Sequence, residues 1–284
     1  MRVIACLKWI DRRPMADVVA APEETDERFD GLSAADEAAL EWALTIGSQW
    51  NVSVVAVTYG PVAADVVLRT ALAAGTTAAI RIDGSRDADS AAIGAAIAVA
   101  LSPGDLVVCG DYSADRGTGS VPAFIAACLD VPQALGLVSV SPQPDQMIEV
   151  LRRLDGGRRE RLSVGCTAAR GAVLSVEGSA ARLRRAGLGS VMSARRAPIE
   201  VIPGAPTRAA DHRTSQPYRP RPRVLPAPVG VHPLDRLRAL TDAGGAANSS
   251  TGETVVLEPD AAAARIIEAL TTWGYLGSAI SAPP

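Results

Sequence analysis

The pattern that most constrains this chain is the regular alternation of short apolar runs with helical stretches through its first 130 residues. Val3-Ile4-Ala5-Cys6-Leu7 is a continuous apolar run of strand length, as expected for a strand buried on both faces. Ser33-Ala34-Ala35-Asp36 then opens a helical pattern through Ala39, Leu40, Ala43, Leu44 and Ile46, which Gly47 is placed to close. Ser33 and Asp36 stand at the spacing of a capping box. Residues 52–58 read as the next strand, and Tyr59-Gly60-Pro61 turns it into a helix over 63–74 that Gly75 is placed to end. A strand over 78–82, a helix over 90–101, a strand over 105–109, a loop over 110–120 and a helix over 121–129 follow. Strand and helix in this order, with short connections, imply a doubly wound, mostly parallel α/β sheet. Ligands of such sheets sit beyond the carboxyl ends of the strands, at a topological switch point. Residues 8–11, 59–61 and 110–120 occupy such positions.

From residue 137 to 174 the texture changes to strands joined by turns, with Leu154-Asp155-Gly156-Gly157 as a hairpin turn. A basic loop follows over 182–196. Pro217, Pro220, Pro222, Pro226, Pro228 and Pro233 then mark an extended arm, and a helix over 259–273 comes near the end. At about 150 residues per domain the chain has room for two units. The division expected is an α/β domain over 1–204 and a Pro-rich arm with its helix over 205–284. The arm has too little apolar mass to fold alone, so it is expected to lie on a partner surface.

The composition is globular, 48% hydrophobic and 21% charged, which excludes disorder, collagen and coiled coil. The net charge of −3 conceals an uneven distribution: residues 1–150 carry 9 basic and 20 acidic side chains, residues 151–196 carry 11 and 3. A nucleic-acid binder would be basic overall, so that class is set aside, while the basic segment suits an acidic protein surface. Cys6, Cys109, Cys128 and Cys166 are far apart and only two histidines are present, so no metal site is expected. Cys6 and Cys109 sit in apolar runs and read as reduced, buried thiols. The opening is too short for a signal peptide and no run reaches membrane-spanning length, so a cytoplasmic protein, not embedded in a membrane, is expected. Of 28 basic residues other than histidine, one is a lysine, Lys8, just beyond the first strand. A ligand site that needs a compact ammonium would retain lysine there.

The richest constellation is the stretch Gly110, Asp111, Tyr112, Ser113, Ala114, Asp115, Arg116, Gly117, Thr118, Gly119, Ser120, leading into a helix at Val121. Glycines and hydroxyls ahead of a helix let backbone N–H groups approach an anion. On these residues alone a nucleotide loop and an ordinary glycine-rich loop with Ser120 as cap both stay open. The GxxxxGK[ST] and GxGxxG patterns are both missing, as is a GxSxG elbow, and His212 and His232 fall in the arm. No catalytic residue is assigned.

Six segments, in order, resemble the beta subunit of electron transfer flavoproteins. These are residues 2–11 with their Leu7-Lys8 and Asp11; residues 33–44; Tyr59-Gly60-Pro61 with Leu68-Arg69-Thr70-Ala71-Leu72-Ala73-Ala74-Gly75; residues 110–133; the Leu154-Asp155-Gly156-Gly157 turn; and residues 188–196. The chain departs from the family pattern at Ser33-Ala34 (usually Asn-Pro), Asp111-Tyr112 (usually a basic residue and Gln), Arg185 (usually Tyr) and Gly189 (usually Pro). These departures suit a divergent, actinobacterial branch, one paired with mycofactocin-type dehydrogenases.

The resemblance implies an adenine nucleotide hydrolase-like fold and an electron carrier, not an enzyme. It implies a heterodimer with an alpha subunit that holds most of the FAD, a dehydrogenase as donor and a membrane quinone reductase as acceptor. It also implies a buried AMP in this chain, held by Cys6, Lys8, Ser33, Ala34, Ala35, Asp36, Tyr59, Gly110, Asp111, Ser113, Asp115, Gly117, Thr118, Gly119, Ser120 and Val121. Leu188 would be the anchor presented to the dehydrogenase, and the arm would wrap the alpha subunit. Two alternatives stay beside this: an electron-bifurcating type with a second FAD in place of AMP, and a nucleotide-binding enzyme or sensor of the same fold.

Overall fold

The computed structural model describes residues 1–11, 30–86, 88–113, 115, 117–204, 232–241, 255–273 and 275. In chain order its elements begin with β1 (Val3–Cys6), β2 (Ile10–Asp11), β3 (Asp30–Gly31), α1 (Ala34–Trp50), β4 (Val54–Gly60) and α2 (Asp65–Ala74). Then come β5 (Ala78–Asp83), α3 (Ser90–Val99), β6 (Leu106–Gly110), α4 (Val121–Leu129), β7 (Gln133–Pro142) and β8 (Met147–Arg153). β9 (Arg159–Gly165), β10 (Ala172–Val176), α5 (Leu188–Ala194), β11 (Glu200–Pro203), α6 (Pro233–Thr241) and α7 (Pro259–Thr272) complete the described residues. They fall into two compact units, Met1–Pro217 and Tyr218–Pro284. The second unit contributes α6 and α7.

Nine strands hydrogen-bond in the order β11-β5-β4-β1-β6-β10-β7-β8-β9. The first seven of that order are mutually parallel, and β7, β8 and β9 run antiparallel as a meander. The expected doubly wound, mostly parallel α/β architecture is what the chain forms. From β1 the chain steps outward to β4 and β5, then returns to lay β6 on the other side of β1. The carboxyl ends of β1 and β6 therefore flank the switch point where connections diverge.

The central strands are apolar on both faces because helices cover both. Val3, Ala5, Val54 and Leu106 join the core with α1 and α2, while Ile4, Cys6, Val107 and Cys109 join the core with Ile97 of α3 and Ile125 of α4. α1 starts as its sequence implies: Ser33 is the N-cap, and its Oγ accepts from the Asp36 N–H at 3.0 Å. Gly47 does not close this helix. It lies inside it, where a Cβ would fall 2.2 Å from Val54 Cγ2, so its role is close helix–sheet packing. The helix ends at Asn51, which takes the left-handed conformation at φ 52°.

Other boundaries also shift. The second parallel strand is 54–60 and not 52–58, because Asn51 and the residues after it complete the helix end. The segment read as loop over 182–196 holds a seven-residue helix, α5, and the Pro-rich arm contains α6, started by Pro233 at a first-turn position that needs no N–H donor. The remaining arm prolines, and His212, lie outside the described residues.

Candidate functional site

The turn leaving β1 is pinned from both sides. Leu7 N–H donates to Val57 O and the Thr58 hydroxyl donates to Leu7 O, each at 2.8 Å. This fixes Lys8 at the sheet's carboxyl edge, where its backbone N–H donates to Asp36 Oδ1 at 3.3 Å and its ammonium donates to Ser113 Oγ at 3.0 Å and Asp115 Oδ1 at 2.5 Å. One residue thus ties the first strand, the start of α1 and the glycine-rich loop together.

Asp36 is 4% exposed. Burial pushes its carboxyl up to about 6, against the stabilising hydrogen bonds of Ser33 and Lys8. The Ser33 hydroxyl donates to Asp36 Oδ2 at 2.6 Å. For Asp115 the balance is opposite: burial raises its pKa, but the Lys8 ammonium outweighs this and holds the carboxyl below its ordinary range.

Glycine is required twice in the loop for different reasons. A Cβ on Gly110 would stand 3.0 Å from backbone atoms of Ala35 and Asp36, so the end of β6 passes hard against the start of α1. Gly119 has φ +57°, and a Cβ there would fall 2.3 Å from the Asp111 carbonyl oxygen. Ser120 stands at the cap position of α4, but its side chain does not cap; it donates to Thr118 Oγ1 at 3.1 Å. The first turn of α4 is left facing the cleft without a side-chain acceptor.

These pieces frame one cleft of about 930 Å³, its open mouth included. The opposite wall comes from Trp9, Tyr59, Pro61 and Arg86, with the Arg86 guanidinium carbon 5.0 Å from the Trp9 ring centroid. Arg81, buried in β5, steadies this rim: it donates to the Gly60 carbonyl at 3.2 Å and pairs with Asp65 at 2.9 Å and with Asp83.

The sequence-derived candidates divide in space. Cys6, Lys8, Asp36, Tyr59, Gly110, Ser113, Asp115, Thr118, Gly119, Ser120 and Val121 line this cleft. Ser33, Ala34, Ala35 and Asp111 do not; they line a neighbouring hollow with Ile10, Leu32, Glu37, Tyr112 and Gly178. The reason is the close passage of β6 against α1 at Gly110, which sends Asp111 to the other side. There burial and the Glu177 carboxylate raise the Asp111 carboxyl above its ordinary range. Gly117 lines neither space and packs against the Tyr112 ring at φ +63°. Trp9, Gly60, Pro61, Arg86 and Cys109 line the cleft too, beyond the residues that the family resemblance implies. Gly60 and Pro61 were detectable as a strand end, whereas Arg86 carries no sequence signal.

Chemically, the cleft offers hydroxyls, a helix start and an ammonium paired with the Asp115 carboxylate on one side and aromatic and apolar surface on the other. That combination fits a flat heterocycle carrying a phosphate. Among the described residues no group of His, Cys, Asp and Glu is arranged to hold a metal ion. No helix among them is long and apolar enough to cross a membrane.

Away from the cleft, α5 exposes Leu188 at 79% and is braced at both ends. Arg184, just ahead of it, makes a forked ion pair with Glu41 of α1 (2.7 and 2.9 Å), and its own N–H donates to the same carboxylate. At the far end, Arg69 of α2 donates to the carbonyls of Ala194, at 2.8 Å, and Ala197.

Residues 25–207 match the electron transfer flavoprotein domain. The electron transfer flavoprotein subunit beta of Methylophilus methylotrophus is 29% identical over 188 residues, 63% of this chain and 70% of that protein. The protein of the same name from Thermoanaerobacterium thermosaccharolyticum is 34% identical over 43% of this chain and 48% of its own. The acryloyl-CoA reductase electron transfer subunit gamma of Anaerotignum propionicum is 30% identical over 55% of this chain and 62% of its own. The chain thus spans less than two thirds of the length of the last two. With more than half of its residues matched, including the glycine-rich loop and α5, the chain belongs to the electron transfer flavoprotein domain family, on the beta-subunit side that two of these relatives represent.

Proposed function

We propose that this chain is the beta subunit of a heterodimeric electron transfer flavoprotein. The observation that carries the reading is the family match over residues 25–207, which takes in both the cleft loop and the α5 segment. The assembled protein accepts electrons from a dehydrogenase and delivers them to a membrane quinone reductase. FAD, held mainly by the alpha subunit, supplies the electron-carrying chemistry. This chain's own residues bind and dock, and are not catalytic. Lys8, Ser113 and the start of α4 hold the phosphate of an AMP whose ring lies toward Trp9 and Tyr59. The nucleotide ties the ends of β1 and β6 to the loop and so makes the subunit rigid. Leu188 seats in an apolar pocket of the dehydrogenase, and the arm beyond residue 204 packs on the alpha subunit.

The relative named as an electron transfer subunit of acryloyl-CoA reductase favours a second reading, in which electrons run toward a reductase. In that reading the beta cleft would take a second FAD in place of AMP. Co-expression with a candidate alpha subunit, purification and extraction of bound nucleotides distinguishes them. One FAD and one AMP per heterodimer is the expected result, and two FAD would replace it with the second reading. A chain that stays apart from the alpha subunit, with no flavin recovered, would overturn both.

A further inference from the structure

Cys6 and Cys109 are the last pair in the register between β1 and β6: Val3 faces Leu106, Ile4 faces Val107, Ala5 faces Val108, and Cys6 faces Cys109. The three earlier pairs are hydrocarbon. Sulfur appears only at the position where the sheet opens into the cleft, and both cysteines line it. In-register residues of parallel neighbours leave the sheet on the same face, here the one covered by α3 and α4. Neighbouring strands stand about 4.8 Å apart, within the ~4.4–6.8 Å between Cα atoms that a disulfide spans. The neighbouring Cys6 thiol together with burial keeps the Cys109 thiol protonated well above its ordinary range. All four cysteines are free; Cys166 is buried after β9, and Cys128 is exposed on α4.

We infer that Cys6 and Cys109 form a redox-active dithiol on the floor of the cleft, which a small peroxide closes to an intramolecular disulfide and a thiol reductant reopens. Both residues are buried at the cleft, and Cys6, the less buried at 8% against 4% exposed, is assigned as the one that meets the oxidant. Its thiolate attacks hydrogen peroxide, the O–O bond breaks, and a sulfenic acid forms; the departing hydroxide takes up the Cys6 proton as water. The Cys109 sulfur then attacks the sulfenic sulfur, the S–O bond breaks, and hydroxide leaves with the Cys109 proton as a second water. Two thiols lose two electrons and one peroxide becomes two waters. Cβ atoms at strand spacing stand farther apart than the ~3.8 Å usual in disulfides, so the bridge draws the strand ends together and is readily reduced. It joins the roots of the Lys8 turn and of the glycine-rich loop, the two segments that the Lys8 contacts already connect.

The test uses the reduced full chain, treated with hydrogen peroxide, alkylated under denaturing conditions and mapped by peptide mass spectrometry. The expected product is a Cys6–Cys109 linked peptide pair lighter by two hydrogens, with both of these thiols lost together and regained on dithiothreitol. Recovery of both as alkylated free thiols, while Cys128 is oxidised, would overturn the assignment. Cys109→Val keeps the position apolar and is expected to abolish the linked pair while Cys128 reacts as before. Adding AMP separates this inference from the nucleotide reading. A bridge that forms equally fast with AMP supports the dithiol and counts against AMP in the cleft, and a slowed bridge supports both.

Discussion

Lys8, on the turn that leaves β1, and Asp115, in the glycine-rich loop, form an ion pair with Nζ 2.5 Å from Oδ1. Both side chains are about a third exposed, 33% and 27%. A pair in that environment contributes only ~0.5–1 kcal/mol. Its importance lies in what the ammonium is doing: the chain's single lysine is shared between a carboxylate of its own loop and any anion that enters. Asp115→Asn loosens that hold and is expected to tighten AMP binding about two- to fivefold by calorimetry. Lys8→Met is expected to weaken it about tenfold, near 1.4 kcal/mol. Lys8→Arg keeps the charge but not the compact head group, and should fall between them. If all three bind AMP as the parent does, Lys8 has no part in the site.

Asp36 gives a pH signature. Its carboxyl titrates at about 6 in the fold because it is buried, against ~3.9 in an unfolded chain. The native state therefore binds the extra proton between those values, and Asp36 costs the fold stability as pH rises from about 4 to 6. A shift near two units corresponds to roughly 3 kcal/mol. Asp36→Asn has no such proton to lose. The variant's stability relative to the parent should climb by about that amount between pH 4 and 7, read from urea midpoints, and stay level above pH 7. A difference that is flat with pH would mean that Asp36 titrates as an ordinary carboxylate.

Glycine at 119 is expected to matter for binding more than for folding. Gly119 and Gly136 both have positive φ, +57° and +68°, so alanine costs ~1–2 kcal/mol of backbone strain at either. Only at 119 would the new Cβ meet an atom, the Asp111 carbonyl, while Gly136 has open space. Gly119→Ala should therefore displace the loop and lower AMP affinity more than tenfold. Gly136→Ala should lower the melting temperature by a similar few degrees with affinity intact.

The fold was legible because its signals are local and repeated. Val3 to Leu7 had strand length and no polar face, Ser33 offered a cap, and Gly75 a stop. Gly47 is ambiguous in sequence because glycine serves two purposes in helices, ending them or letting them approach a sheet, and only the position of Val54 tells which. The site was legible where residues follow strand ends, as Lys8 and Gly110 do. It was illegible where side chains cross from elsewhere: Arg86 reaches the Trp9 ring from beyond β5. Asp111 lines the neighbouring hollow and not the cleft, which the sequence does not reveal because it does not show that β6 passes so close to Ala35.

Leu188 and Arg69 separate contact from support in the α5 segment. Leu188 is largely exposed, so Leu188→Ala should change folding stability by less than about 0.5 kcal/mol. It should slow electron delivery from the true dehydrogenase severalfold, with flavin content unchanged; loss of flavin would make the residue structural instead. Arg69 donates to the carbonyls of Ala194 and Ala197 at the end of α5, where a cation also complements the helix dipole. Hydrogen bonds from a charged group are worth ~1.5–3 kcal/mol, so Arg69→Met should free the end of the helix without unfolding the sheet. The expected readout is faster amide exchange at Val191, Arg195 and Ala197, whose N–H groups bond to Gly187, Val191 and Ser193. Electron delivery should slow in parallel. Unchanged exchange at those three amides would mean that the contacts from Arg184 to Glu41 hold the segment by themselves.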